Sequence, residues 1–247
     1  SARPDAALDD PARGLCLAVT PGARPQAPFF DSRSPLLCGE GFVNIDPFAY
    51  TDPDSGARLL YWGSGFGPIK VQALAADGLG FAPGSQPIDL VPTIPDADPG
   101  NYQRLVEAVW ITRHDGFHYL FYSGDNCCGP NAHYAVMVAR SRSATGPFET
   151  LAQATGRADS VILAERGRWL APGHNAVIAD AAGQHWLLYH AVDTERPRQR
   201  SEDEINTRRV MLLDRLVWDN GWPRLADNGP TQDVQPAPIV ERPPTAP

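Results

Sequence analysis

The sequence predicts an all-β propeller, because one short pattern recurs with strands between its copies. The pattern occurs three times, over 45–65, 106–125 and 173–193, and in each copy a turn glycine precedes an aromatic residue by six positions. The three glycines stand 60 and 67 residues apart, which is longer than helical solenoid repeats and somewhat above common propeller blades. Each unit reads as strand, glycine turn, strand, loop, strand and strand. That order is typical of a four-stranded propeller blade.

The outer strands of the units are predicted from alternation. The runs HYAVMVARS (133–141) and RRVMLLDRLVW (208–218) alternate apolar and polar residues with a period of two, as half-buried strands do. The chain has 247 residues, of which 43% are hydrophobic, and its 25 Pro and 22 Gly punctuate short elements. We interpret residues 1–247 as a single domain.

A different polar residue begins each copy, nine or ten positions before its glycine: Asp46, Glu107 and His174. The first strands of propeller blades line the central channel, so these side chains are expected to face the funnel where ligands bind. Taken alone, an Asp-Pro pair more often caps a turn, and a lone histidine more often makes a hydrogen bond in the core. Their equivalent positions favour a functional role.

Glu107 lies in the apolar run LVEAVWIT. A glutamate in such a strand is paired, faces outward or is functional. Apolar neighbours such as Trp110, together with a second carboxylate at Asp46, would raise its pKa by desolvation and by like charge. Glu107 is therefore expected to hold a proton near neutral pH and to act as a general acid.

Charge and hydropathy narrow the class of partner. The formal net charge is −8 and Lys70 is the only lysine, whereas a nucleic-acid surface needs clustered basic residues. No apolar stretch reaches the length of a membrane helix. The sequence predicts neither a nucleic-acid nor a membrane partner. A secreted or periplasmic location is expected, with the signal segment not present in this chain.

The four cysteines leave alternatives open. Cys16 and Cys38 bracket a proline-rich loop and could form a disulfide. The adjacent pair Cys127 and Cys128 lacks zinc-site spacing, and a structural role is weighed against a disulfide at the rim of a site.

Several motifs together resemble glycoside hydrolase family 43. They are VEAVW, HYLFYSG, YAVMVARSRSATGPF, APGHNAV, YHAVD and WDNGWP, and the resemblance covers roughly residues 14–225. The segment SGDNCCGPNAHY is most similar to the arabinan-active branch of that family. The resemblance implies a five-bladed propeller and an inverting glycosidase acting on α-L-arabinofuranosides or arabinan, with β-xylosidase activity as the alternative enzyme.

The resemblance also implies roles for individual residues. Glu107 in V-E-A-x-W matches the general acid, and Asp46 in I-D-P matches the carboxylate that raises the pKa of that acid. His174 in P-G-H-N matches a residue beside a hydrated calcium ion, and a single imidazole favours contact with calcium through water. Arg209 matches an arginine that binds sugar hydroxyls. The aromatic residues Trp62, Phe66, Trp110 and Tyr122 offer faces to sugar rings, although core packing is the commoner use of such residues.

The sequence departs from the family at its start. Residues 14–29 correspond to the second half of a blade, so the chain is expected to supply about three and a half blades of five. The family's catalytic base lies in the first strand of the first blade. None of Asp5, Asp9, Asp10 and Asp31 has that strand context. The base is expected on a separate N-terminal fragment or on residues absent from this chain.

Two further alternatives stay open from the sequence. A carbohydrate-binding propeller without turnover would have no need of the base, but it would also have no need of Asp46 and Glu107 together.

The segment 192–207 is predicted to be a charged loop, either a rim of the site or a solvated surface.

Overall fold

A computed structural model describes residues 15–20, 29, 34–63, 67–200 and 205–241. Their secondary structure is almost entirely antiparallel strand, in two four-stranded sheets, one five-stranded sheet and two separate strand pairs. Among these residues, no helix is long and apolar enough to cross a membrane. Asp5, Asp9, Asp10, Asp31 and Phe66, which the sequence raised as candidates, lie outside the described residues.

Each predicted blade is an antiparallel sheet whose strands follow chain order. The first blade comprises β3 (Phe48–Thr51), β4 (Arg58–Trp62), β5 (Ile69–Ala73) and β6 (Ile88–Val91). The second comprises β7 (Val106–His114), β8 (Phe117–Asn126), β9 (His133–Ser141) and β10 (Glu149–Thr150), with β11 (Val161–Leu163) also paired to β9. The third comprises β12 (Trp169–Ala179), β13 (His185–Asp193), β16 (Arg209–Asp219) and β17 (Trp222–Leu225).

The remaining elements are short. Strands β1 (Leu15–Leu17) and β2 (Leu37–Gly39) pair with each other, and a Cys16–Cys38 disulfide, which the sequence left open, joins them. A 3-10 turn (Tyr102–Arg104) precedes β7, and α1 (Leu151–Thr155) follows β10. Three blades and one strand pair agree with the three and a half blades predicted from the sequence.

The turn glycines connect the first two strands of every blade. Gly56, Gly116 and Gly183 have φ of 73°, 77° and 79°, a left-handed conformation that glycine adopts without steric cost. The innermost strands lie side by side, since β7 contacts both β3 and β12. Residues at corresponding positions of the three blades therefore meet at one place.

Apolar side chains fill the spaces between sheets. One cluster, including Tyr61, Val71 and Ile111, packs the first blade on the second, and another, including Phe121 and Leu187, packs the second on the third. A smaller cluster around Leu17 joins β1 to the first blade. The core of the described part thus lies between the blades. The polar residues Asp46, Glu107 and His174 lie at the inner ends of the blades, outside these apolar clusters.

The segment predicted as a charged loop contains a hairpin. Strands β14 (Arg198–Arg200) and β15 (Ile205–Thr207) pair antiparallel between β13 and β16. The Arg208 N–H donates to the Pro197 carbonyl at 2.8 Å and closes the base of this hairpin. The prediction of a loop was wrong here, because strands of three mostly polar residues give no periodic signal.

Candidate functional site

The three polar residues that begin the blades lie at backbone irregularities. Asp46 and His174 have φ of 51° and 52°, and Ala108, which follows Glu107, has φ of 57°. The strand pairing shifts directly after Glu107 and again on both sides of Gly173. Positive φ is uncommon outside glycine, and a bulge turns a side chain away from the regular alternation of a strand. A left-handed residue thus lies at, or directly after, each polar residue at the inner end of its blade.

The two predicted carboxylates are linked through the backbone. An Asp46 carboxylate oxygen accepts a hydrogen bond from the Ala108 N–H at 3.1 Å, and this amide belongs to the residue next to Glu107. Burial raises the pKa of Asp46, while the positive field of His174 and the Ala108 bond oppose that rise. The first and second blades thus bring both acidic residues into one site.

Opposing effects act on the pKa of Glu107, and their sum raises it. Burial raises its pKa, a hydrogen bond from Tyr134 lowers it, and the negative charge of Asp46 raises it again. The Tyr134 hydroxyl donates to Glu107 Oε1 at 2.5 Å. The balance favours the protonated acid above its usual pH range, which is the state that a general acid needs.

Tyr134 is fixed from two sides. Its side chain is 1% exposed, and a Cβ placed on Gly173 would lie 2.1 Å from its ring, so the third blade can approach only because position 173 is glycine. The ring of His190 lies parallel to it, with centroids 5.8 Å apart and planes within 7°. Packing between the second and third blades therefore holds the hydroxyl that reaches Glu107.

His174 is positioned through its main chain. Its N–H donates to Ser123 Oγ at 2.8 Å, and Ser123 is fully buried beside Asn175. The imidazole is left on an exposed residue, with its centroid 6.4 Å from that of His190. The predicted meeting of Asp46, Glu107 and His174 is thus present in the structure.

Arg209 supplies a positive charge to the same site. Its guanidinium Nη1 lies 3.4 Å from His190 Nε2, and its charge lowers the pKa of Glu107. Burial, Arg209 and His174 together lower the pKa of His190 to about 4, so this imidazole is neutral at physiological pH. A neutral His190 can accept a hydrogen bond from Arg209, which orients the guanidinium.

The two predicted tryptophans serve packing. Trp62 is 1% exposed, packs near Phe81 and donates its indole N–H to Asn44 Oδ1 at 3.1 Å, so it offers no open face to a sugar. Its expected role in substrate binding was wrong. Trp110 is half-buried: its ring centroid lies 4.5 Å from that of Phe48 in the first blade, and it also packs against the cluster between the second and third blades. Tyr122 is fully buried in the core as well.

Sequence reasoning missed Tyr134 and His190. Both stand in motifs that carried the family resemblance, HYAVMVARS and YHAVD, but neither occupies the repeated first position. One sequence signal could have identified them: Tyr134 and His190 are polar aromatic residues near the ends of strongly apolar strands. Only the packing of one blade on the next shows that they belong to the site.

The donor set around His174 does not suit a directly bound calcium ion. Calcium takes six to eight oxygen ligands, and His174 offers one nitrogen. Within the described ranges, three potential ligands converge instead at Asp52, Asp54 and His118. There Arg113 already binds Asp54 through two nitrogens, at 3.0 and 2.7 Å, and its charge disfavours a cation.

A family model, Glycosyl hydrolases family 43, matches residues 14–223. The chain belongs to this family. It is 29% identical over 185 residues to an extracellular endo-α-(1→5)-L-arabinanase of Bacillus subtilis, covering 72% of this chain and 50% of that protein. It is 27% identical over 193 residues to an extracellular exo-α-(1→5)-L-arabinofuranosidase of Cellvibrio japonicus, covering 73% and 51%. This family 43 chain thus spans about half the length of these curated relatives.

Solved structures agree on the fold. A Cellvibrio cellulosa α-L-arabinanase complexed with arabinohexaose superposes with a TM-score of 0.65 at 24% identity, covering 83% of this chain and 65% of that one. A thermostable family 43 glycoside hydrolase gives a TM-score of 0.68 at 23% identity, with coverages of 91% and 70%. At this level of identity the likeness shows that the family 43 chain has the propeller fold of its relatives.

Proposed function

We propose that this family 43 protein is an inverting glycoside hydrolase acting on α-L-arabinofuranosides or arabinan. The observation that carries the proposal is the pair Glu107 and Asp46, in which a half-buried glutamate with a raised pKa stands beside a second carboxylate. The names of the relatives, an arabinanase and an arabinofuranosidase, support this choice of substrate. Both names also include "extracellular", which supports a secreted location.

Each residue has a distinct task in the proposed reaction. Glu107 gives its proton to the leaving oxygen as the glycosidic bond breaks. Asp46 keeps the pKa of Glu107 high through its negative charge and orients the following backbone through the Ala108 N–H. Arg209 donates hydrogen bonds to hydroxyls of the bound sugar, since its guanidinium presents donors in a fixed fork.

Inversion also requires a carboxylate base that activates water on the opposite face of the sugar. Within the described part of the chain, Asp46 is the carboxylate whose charge acts on Glu107. We therefore assign the base to residues outside the described ranges, either in this chain or on a separate N-terminal fragment. Water would attack the anomeric carbon as Glu107 protonates the leaving group.

A calcium ion held through water is a further part of the proposal. The exposed imidazole of His174 can contact a water of a hydrated ion, and this requires no direct ligand from the protein. Such an ion would supply positive charge beside the bound sugar. The proton transfers assigned to Glu107 and its partners do not depend on it.

The test is Glu107→Gln in protein that includes the segment carrying the base, assayed on arabino-oligosaccharides and on a 4-nitrophenyl arabinofuranoside. Loss of a general acid lowers the rate by about 10²-fold or more on natural linkages, and by less on the aryl glycoside, whose leaving group needs little protonation. Glu165→Gln is the control, because Glu165 is an exposed acid in the connection between β11 and β12. Equal losses on both substrates would refute the acid role. Binding of oligosaccharide without turnover by the otherwise unaltered protein, with the base-carrying segment present, would favour a carbohydrate-binding propeller.

A further inference from the structure

A cavity of about 340 Å³ lies between the outer elements of the first and second blades. One wall comes from β6 and the segment that leads to the 3-10 turn, and the other comes from β10, α1 and the connection to β11. All of its lining residues belong to the stretch 67–200, which the structure describes without a gap. None of the candidate-site residues described above lines it, so this cavity is separate from the site that holds Glu107.

The floor of the cavity is apolar. Val91 and Met137, each 1% exposed, belong to the core cluster between the first two blades, and Tyr102 and Phe148 pack against that cluster. The ring of Tyr102 stacks on that of His133, with centroids 4.1 Å apart and planes inclined by 11°. The floor thus combines aliphatic groups with an aromatic ring that is held in place, a surface that suits the C–H face of a sugar.

Three amide side chains line the cavity, and a hydrogen bond to the main chain orients each of them. Asn101 Oδ1 accepts from the Gln103 N–H at 2.8 Å, and Gln103 Nε2 donates to the Pro92 carbonyl at 3.0 Å. Gln153 Oε1 accepts from the Thr150 N–H at 2.9 Å. Within this stretch of the chain, the opposite end of each amide has no protein partner. Two NH₂ groups and one carbonyl are therefore available to a ligand.

The charge of the lining excludes several ligand classes. Among the described lining residues, Asp159 carries the one formal charge, and no lysine or arginine is present. Asp159 Oδ1 accepts from the Val161 N–H at 3.0 Å and lies 3.8 Å from exposed Arg157, which is outside the lining. A phosphate or carboxylate ligand would thus meet a carboxylate in the wall and no cation. A neutral ligand rich in hydroxyl groups fits, because each hydroxyl both donates and accepts.

We propose that this cavity is a second carbohydrate site, which binds a neutral part of the glycan away from the candidate site. The choice of arabinan as that glycan rests on the proposed function. The floor and the Tyr102 ring receive one face of a sugar, while the three amides, Asp159 and the Tyr102 hydroxyl bind its hydroxyls. Attachment at two sites would hold a polymeric substrate more firmly than either site alone.

The experiment is an NMR titration of the whole protein, including the segment that carries the base, with linear α-1,5-arabinohexaose. The Glu107→Gln variant is used throughout, so that the ligand is not cleaved. We expect the backbone amide signals of 150–160 to shift in a saturable way, because these residues form one wall of the cavity. Signals around residue 107 report separately on binding at the candidate site.

Two pairs of variants locate the binding. Ala158→Trp places a large ring in the wall and should abolish the shifts at the cavity, whereas Ala76→Trp, at an exposed alanine in a turn of the first blade, should not. Tyr102→Phe keeps the ring on His133 and removes one hydroxyl, so binding at the cavity should weaken about two- to tenfold. Tyr50→Phe is its control, because half-buried Tyr50 bonds His118 instead.

Absence of saturable shifts at 150–160 would overturn the inference. So would shifts that Ala76→Trp reduces as much as Ala158→Trp. Turnover of arabino-oligosaccharides by protein that keeps Glu107, without shifts at the cavity, would reject this second site and leave the proposed function. Shifts at the cavity without turnover would support the second site and remove the proposed reaction.

Discussion

Tyr134 donates its hydroxyl proton to Glu107 from the core of the second blade, at 2.5 Å. Because the tyrosine is buried and packed against Gly173, it cannot turn to another partner without moving the third blade. The proposed acid is thus held by a contact between two blades. A donor to the ionised form lowers a pKa, and here it opposes the effect of burial.

We expect Tyr134→Phe to raise the pKa of Glu107, since the bond that favours the charged form is removed while burial remains. The alkaline limb of the pH profile of kcat/KM should move to higher pH. Tyr119→Phe is the matched control, because Tyr119 is a fully buried tyrosine whose hydroxyl donates to the Gly221 carbonyl instead. The control should lower stability by about 1 kcal/mol and leave the limb in place. An unmoved limb in Tyr134→Phe would contradict the assignment.

Asp46→Asn should have the opposite effect on the same limb. It removes the negative charge that raises the pKa of Glu107, so the alkaline limb should move to lower pH. The asparagine carbonyl can still accept from the Ala108 N–H, which preserves the local backbone. Asp54→Asn, which changes an exposed acid bound to Arg113, serves as the control. If the alkaline limb moved equally in both variants, or in neither, the charge of Asp46 would not be what raises the pKa of Glu107.

His190 makes stability depend on pH. Its pKa falls from 6.5 to about 4 on folding, so the unfolded chain binds more protons between these values. Its neutral form therefore contributes stability that is complete above pH 6.5 and is lost as the pH falls towards 4. We expect His190→Phe, which keeps a ring against Tyr134, to flatten this part of the curve of unfolding free energy. Denaturant unfolding at a series of pH values measures it, and parallel curves would disprove the effect.

Calcium is tested by removal. If His174 contacts a hydrated ion, chelation should lower the melting temperature, and added Ca²⁺ should restore it by mass action, whereas Mg²⁺ at the same concentration should not. His174→Ala should abolish the response to Ca²⁺. Elemental analysis of purified protein gives an independent readout. A protein that holds no divalent ion and does not respond to chelator would leave His174 with a structural role.

The sequence predicted the strands and the repeated polar positions because both depend on local signals. The run 133–141 coincides with β9, so the strand was predicted correctly. The expected half-buried alternation was wrong, because six successive residues of β9 are buried where blades pack on both of its faces. The turns at Gly56, Gly116 and Gly183 were likewise predictable, because glycine readily adopts the left-handed conformation that these turns require. The hairpin β14–β15 was missed, because its strands are short and its sequence is charged.

Side-chain roles that depend on contacts with a neighbouring blade were harder to predict from the sequence. Trp62 and Tyr134 are both aromatic residues in apolar strands, and one lies in the core while the other reaches the candidate acid. The difference follows from what packs against each ring. Gly173 and His190 determine it for Tyr134, and both belong to another blade.

The left-handed backbone at Asp46 and His174 determines the direction of the side chain independently of its chemistry. The two residues have nearly the same φ, 51° and 52°, although one carries a carboxylate and the other an imidazole, so the main chain decides where the side chain points and the residue type decides what it does. Exchanging a carboxylate for an imidazole at such a position leaves the path of the chain unchanged. A single substitution at such a position can therefore change the chemical group that the site presents. Changing the direction in which that group points would require a different backbone conformation.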